Sequence, residues 1–69
     1  MAEEWKERIT VDSKVLAGKP IIKGTRIAVA FVLELLANDW TTEEILKNYP
    51  HLKKEDITAA LKYVTEILT

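Results

Sequence analysis

Apolar residues follow a period of two in the first part of the chain. Residues 8–12 alternate polar and apolar side chains, and the apolar positions are the β-branched residues Ile9 and Val11. This pattern predicts a short, half-buried strand with Ile9 and Val11 pointing inward. Residues 20–22, Pro-Ile-Ile, predict a second short strand, which suits a sheet edge because proline cannot donate a ladder hydrogen bond. Two short strands are marginal alone and need a surface to pack on.

From residue 28 the period changes to that of a helix. The first predicted helix covers residues 28–38, and one face shows the spacing i, i+3, i+4, i+7: Val29, Val32, Leu33 and Leu36. A second face is also apolar: Ala28, Phe31 and Leu35. A helix that is apolar nearly all round is normally buried on more than one side. Either the two strands cover the second face, or it contacts another copy or a partner; the pattern supports both readings equally.

Two more helices are predicted further along. Thr41 and Glu44 form a capping-box pattern that opens a short helix over residues 42–47, and residues 49–50, Tyr-Pro, end it. The last helix is predicted over residues 54–68. Its buried stripe is expected to contain the following residues: Ile57, Leu61, Val64 and Leu68, with Ala60 and Ile67 beside it.

The chain has 69 residues, no cysteine and a single histidine, His51. So small a core usually needs a disulfide, a metal or a second subunit, and the composition favours the second subunit, so we expect a homodimer. Absence of cysteine and of a signal-peptide pattern predicts a cytoplasmic protein. The longest apolar stretch, residues 27–36, is interrupted by Glu34 and is too short for a membrane span.

Catalysis is not expected from this sequence. His51 follows Pro50 in a short connection and has no catalytic partner, so a turn or capping role is favoured. The acidic pairs at residues 43–44 and 55–56 begin predicted helices, where the helix dipole explains them. We therefore expect a protein that is not an enzyme and that binds no cofactor or metal.

A glycine-bounded segment at residues 18–27, GKPIIKGTRI, stands out from the rest of the chain. Alone, it indicates an edge strand with cations spaced along it, which either blocks aggregation or accepts a strand from a partner. Together with EEILKNYPHL at residues 43–52, it resembles domain-of-unknown-function family 433 over residues 9–66. The resemblance implies an α+β, mainly α fold, with short N-terminal strands before a three-helix bundle of the winged-helix or helix-turn-helix kind. It also implies an antitoxin role beside a toxin with a PIN-like nuclease fold.

Two positions depart from the usual family pattern. Relatives commonly carry a glycine before the Thr41 region, whereas this chain has Asn38 as the expected left-handed end of the first helix. Relatives commonly cap the last helix with serine or threonine, whereas this chain has Lys53, which cannot accept a hydrogen bond from the helix N–H groups. A bound anion would make a lysine favourable at the start of this helix. A simpler explanation is that Lys53 and Lys54 are both solvated and that Glu55 and Asp56 offset their charge near the helix N-terminus.

Operator DNA is a possible second partner. If the last two helices form a helix-turn-helix, the start of the last one would enter the major groove. The candidate nucleic-acid contacts are Lys19, Lys23, Arg26, Lys53, Lys54 and Thr58. The net charge of −1, the proline in the connection and the neighbouring Glu55 and Asp56 argue against strong binding by the isolated chain.

We expect one domain over residues 1–69, with residues 1–7 poorly ordered, a β region at 8–27 and a helical region at 28–69. The candidate partner or dimer contacts are Trp5, Ile21, Ile22, Phe31 and Leu35. The predicted function is the antitoxin component of a type II toxin–antitoxin system that binds and neutralises a PIN-like toxin. The alternatives are a protein-interaction module, or a DNA-binding transcription regulator, without a toxin partner.

Overall fold

The computed structural model describes residues 4–68, in which short N-terminal strands precede three α-helices. The elements are an N-terminal 3-10 helix (Glu4–Arg8), β1 (Ile9–Val11), a short 3-10 turn (Leu16–Gly18), β2 (Pro20–Ile22), α1 (Val29–Ala37), α2 (Thr42–Asn48) and α3 (Lys54–Leu68). The α+β, mainly α class is therefore confirmed. The sequence predicts poor order for residues 1–7, but residues 4–7 belong to the 3-10 helix, which packs on α3; residues 1–3 lie outside the described part.

The strands form an antiparallel pair in which Ile9 lies opposite Ile22 and Val11 lies opposite Pro20. The other edge of β2 is occupied by the chain itself. The Ile22 N–H donates to the Ile27 carbonyl at 2.9 Å, and Ile21 forms a β-bridge with Ala28. Of the two alternatives for this edge, the addition of a partner strand is therefore wrong at Ile21 and Ile22, because residues 27 and 28 already pair with β2.

A threonine holds the turn that brings the chain back onto β2. The Thr25 hydroxyl donates to the Ile22 carbonyl at 2.7 Å and accepts the Ile27 N–H at 3.0 Å. Gly24 has a φ of 83°, a left-handed conformation that favours glycine. The KGTRI part of the sequence motif is thus a turn that closes the second edge of β2.

The core lies between the hairpin and the three helices. Its buried members are Ile22, Val29, Val32, Leu35, Ile45, Leu52, Ile57 and Ala60. Ile9 packs against this cluster as predicted, whereas Val11 is 59% exposed. The predicted stripe of α3 is wrong at Leu61 and Leu68, which are exposed, as is Ile67 beside it.

The side of α3 that faces the core carries small residues. Ala59 and Ala60 are fully buried, and their size lets the neighbouring elements approach α3 closely. Tyr63 packs against the core on the same side. Alanine contributes little to a hydrophobic pattern. The pattern therefore predicts that the larger leucines of α3, and not these alanines, mark the centre of its buried side.

The end of α1 is a Schellman motif. The Trp40 N–H donates to the Leu35 carbonyl, and the Asp39 N–H donates to the Leu36 carbonyl, both at 3.1 Å. Asp39 takes the left-handed conformation with a φ of 70°, while Asn38 has a φ of −98°. The prediction that Asn38 is the left-handed residue is therefore wrong by one position.

The start of α2 is the predicted capping box. The Thr41 hydroxyl accepts the Glu44 N–H at 3.1 Å, and the Glu44 carboxylate accepts the Thr41 N–H at 2.8 Å. The helix ends before Tyr49, as predicted from the following proline. Among residues 4–68, no helix is both long and apolar enough to cross a membrane.

Candidate partner-binding site

The N-terminal 3-10 helix lies against the first half of α3, and a hollow of about 290 Å³ lies between them. We call it the Trp5 hollow; its lining residues are Glu4, Trp5, Arg8, Lys54, Glu55, Thr58 and Lys62. Lys54, Thr58 and Lys62 follow one another at a spacing of four, which places them on one face of α3. The structure therefore joins Trp5, predicted as a protein contact, to Lys54 and Thr58, predicted as nucleic-acid contacts.

A buried carboxylate fixes the geometry of this hollow. The Arg8 guanidinium donates to Asp56 Oδ1 at 3.1 Å, and the Lys53 backbone N–H donates to Asp56 Oδ2 at 2.9 Å. Asp56 is the third residue of α3, and it caps the helix N-terminus as the acidic residue of a capping box does. The helix dipole alone does not account for Asp56, and the lack of a serine or threonine cap at Lys53 is compensated by this contact.

Trp5 lies half-buried between two hollows. One is the Trp5 hollow, and the other is lined by Lys6, Ile9, Val11 and Tyr63 besides the indole itself. The Lys6 ammonium lies 5.8 Å from the centre of the indole ring, within cation–π range. Trp5 belongs to a 3-10 helix that packs on α3, and its side chain still reaches solvent. A large aromatic side chain in such a position is suited to anchor a partner.

The remaining predicted nucleic-acid contacts are spread over other parts of the surface. Lys53 and Lys23 are exposed, and the Lys23 backbone N–H donates to the Arg8 carbonyl at 2.8 Å. Arg26 lines a separate hollow with His51, which is exposed, and Lys19 lines an apolar groove between α1 and α3. The structure therefore does not bring Lys19, Arg26 and Lys54 into one basic hollow.

Three of the predicted partner contacts belong to the core. Ile21, Ile22 and Leu35 are 4%, 0% and 9% exposed, so their assignment to an interface is wrong in this conformation. Phe31 is 38% exposed, and its ring meets the Tyr49 ring edge-on with 5.5 Å between centroids. Of the predicted partner contacts, Trp5 and Phe31 remain accessible.

The apolar groove between α1 and α3 has a volume of about 170 Å³. We call it the α1–α3 groove; its lining residues are Lys19, Pro20, Ala28, Val29, Ala30, Leu33, Tyr63 and Val64. Phe31 is not among them. No group of three or more histidine, cysteine, aspartate or glutamate residues that could hold a metal ion occurs within residues 4–68.

The model of one protein family, described as "Protein of unknown function (DUF433)", matches residues 9–64. The chain belongs to the DUF433 family. A crystal structure of a DUF433 member protein from Anabaena variabilis ATCC 29413 has 29% sequence identity and a TM-score of 0.84, over 94% of this chain and 64% of that one. An uncharacterized protein of Archaeoglobus fulgidus is 74% identical over 23 residues, which are 33% of this chain and 64% of that protein. This DUF433 chain thus spans less than two thirds of each relative.

Two lining residues of the Trp5 hollow in this DUF433 protein, Arg8 and Lys62, are not predicted from the sequence, and neither is Asp56, which binds Arg8. The sequence predicts Arg8 in a strand and explains Asp56 by the helix dipole, and it predicts no role for Lys62. The spacing of Lys62 four residues after Thr58 was a signal that could have found it. No local pattern links Arg8 to Asp56, because they are 48 positions apart.

Proposed function

We propose that this DUF433 protein is the antitoxin component of a type II toxin–antitoxin system and that it neutralises a PIN-like nuclease toxin by binding it at the Trp5 hollow. The observation that carries the proposal is the half-buried Trp5 beside Lys54 and Lys62. The family resemblance suggests this class of toxin, and the position of Trp5 beside the lysines supports the hollow as the surface that binds it.

The chemistry of the hollow matches that class of partner. Tryptophan is enriched among the residues that carry most of the binding energy at protein interfaces. PIN-like nucleases carry clustered aspartates, and the ammonium groups of Lys54 and Lys62 are complementary to an acidic surface. The Arg8–Asp56 contact fixes the backbone on both sides of the hollow, so less conformational freedom is lost when the partner binds.

Operator binding is proposed as a property of the complex. The N-terminal 3-10 helix packs on α3, where it obstructs the entry of this helix into a major groove. Lys23, Arg26 and Lys53 are exposed outside the Trp5 hollow and can contact phosphate while the hollow holds the toxin. In this proposal the chain acts by binding, without catalysis, both when it neutralises the toxin and when it contacts the operator.

The test begins with a search for a gene that encodes a PIN-like protein beside this one, and continues with co-purification of the two products and a nuclease assay. We expect the wild type to form a complex that suppresses cleavage. Trp5→Ala and the double variant Lys54→Glu/Lys62→Glu should each weaken binding at least about tenfold, the scale of one strong interface contact. Phe31→Ala and Lys47→Glu are matched controls, since each changes the same type of residue outside the hollow.

Each other outcome identifies one of the alternatives. Failure to bind or inhibit a PIN-like protein overturns the antitoxin role. Capture of a different protein that depends on Trp5 indicates an interaction module. Operator binding by the pure chain, without any toxin partner, indicates a transcription regulator.

A further inference from the structure

The core-facing side of α3 continues past the end of the core. Ala60, Tyr63, Val64 and Ile67 follow the helical spacing i, i+3, i+4, i+7 and so share one side of the helix. Ala60 is fully buried, whereas Ile67 is 61% exposed. The last turn of α3 therefore directs an apolar side chain toward a surface that residues 4–68 leave uncovered.

The neighbouring helix α1 extends the same apolar surface. Ala30, Leu33 and Ala37 lie at the spacing i, i+3, i+7, beside the buried side of α1. Ala30 and Leu33 line the α1–α3 groove together with Val64. We call the surface formed by Ala30, Leu33, Val64 and Ile67 the α1–α3 face.

Charges of both signs border this face. Lys19 lines the groove, and one helical turn separates Glu34 from Ala30 and Glu66 from Tyr63, which line it too. Within residues 4–68, none of these three side chains forms an ion pair. A surface that carries a cation and carboxylates around an apolar centre can pair with a copy of itself when a two-fold axis brings the cation opposite a carboxylate.

We propose that a second copy of this chain covers the α1–α3 face in a two-fold symmetric dimer. In such a dimer the same surface of each copy meets its counterpart, so each Ile67 enters the α1–α3 groove of the other copy. Each Lys19 then meets a Glu66 carboxylate of the second copy. The interface continues the apolar stripe of α3 across the two copies, as obligate dimer interfaces resemble a core divided between subunits. This dimer uses the Leu33 side of α1, not the Phe31 side predicted from the sequence.

Sedimentation equilibrium at micromolar concentrations tests the proposal. The wild type should have twice the chain mass, and Ile67→Asp should weaken self-association at least about tenfold, since it would bury an unpaired charge. Leu61→Asp is the matched control, because Leu61 is an exposed aliphatic residue on another side of the same helix. Circular dichroism checks that both variants keep α3.

A charge exchange tests the predicted pairing. Lys19→Glu should weaken the dimer, and adding Glu66→Lys in the same chain should restore it; a failed restoration overturns the Lys19–Glu66 pair. A wild type that stays monomeric, or an Ile67→Asp variant as dimeric as the wild type, overturns the dimer itself. A monomeric wild type whose toxin complex is lost on Ile67→Asp assigns the α1–α3 face to the toxin.

The dimer does not rest on the antitoxin role, and one variant separates the two. Trp5→Ala lies outside the α1–α3 groove and should remain dimeric while it loses toxin binding. A dimer without toxin binding in the wild type leaves this inference standing and removes only the proposed function.

Discussion

The Arg8 guanidinium contacts the Asp56 carboxylate at 3.1 Å, across 48 positions of sequence. Asp56 is 7% exposed, and its second oxygen accepts the Lys53 N–H. One side chain thus joins the N-terminal 3-10 helix to the start of α3.

Asp56→Ala should lower the free energy of unfolding by about 2–3 kcal/mol, since it removes two hydrogen bonds to a charged, buried group. Urea denaturation measures this difference. Glu55→Ala is the control, because the neighbouring Glu55 is exposed, and its effect should stay within about 0.5 kcal/mol. Equal effects of the two substitutions would contradict the structural role of Asp56.

Asp39→Gly should raise the free energy of unfolding by about 0.5–1 kcal/mol. Asp39 has a φ of 70°, and glycine takes that conformation without the steric cost of a Cβ atom. Asn38→Gly should give no gain, since Asn38 has a φ of −98° and its side-chain amide donates to the Glu34 carbonyl. Thermal unfolding of both variants checks the assignment, and a gain at residue 38 in place of residue 39 would disprove it.

Ile22→Pro should abolish the folded state. The substitution removes the N–H that donates to Ile27 and replaces a fully buried side chain. Ile22→Val keeps the donor and should cost only about 0.5–1.5 kcal/mol. Circular dichroism and the unfolding transition distinguish the two, and a folded Ile22→Pro variant would restore the interpretation of β2 as a free edge.

Charge reversal at Lys23, Arg26 and Lys53 should weaken operator binding uniformly across sequences. Each lost phosphate contact should reduce the salt-dependence slope by about one unit. Fluorescence anisotropy over a salt series, with the toxin complex and DNA upstream of the gene, measures this. Lys47→Glu serves as the control, and an unchanged affinity in the triple variant would remove the nucleic-acid role.

The pure protein should show no hydrolytic activity of its own. Its acidic candidates have other roles, since Asp56 binds Arg8 and Glu44 closes the capping box of α2. Incubation with labelled DNA and RNA in magnesium or manganese tests this expectation. Cleavage that is lost on Glu43→Ala or Asp56→Asn would refute it.

Contacts between near neighbours in sequence were predictable. The capping box of Thr41 and Glu44 spans three positions, and each strand follows from a short segment that contains β-branched residues. The family resemblance added the order of the elements, with short strands before three helices. Such features depend on backbone geometry over a few residues, which the sequence pattern describes directly.

Features set by distant packing were not predictable in the same way. Ile21 and Ile22 were assigned to an interface because the return of residues 27–28 onto β2 is not visible in a periodic pattern. Leu61 was placed in the core because fully buried alanines carry little weight in that pattern. Of the Trp5 hollow, the sequence predicted Trp5, Lys54 and Thr58 but not their proximity, which depends on the Arg8–Asp56 contact.

The packing of the N-terminal 3-10 helix on α3 also affects the order of events during synthesis. The ribosome makes residues 4–8 well before their docking surface on α3, which begins at residue 54. At about 5–20 residues per second, synthesis of the intervening residues takes several seconds, which is far longer than the formation of a single helix. Until α3 leaves the ribosome, the nascent chain exposes Trp5 and the apolar side of the hairpin, and during that interval cellular proteases have access to it.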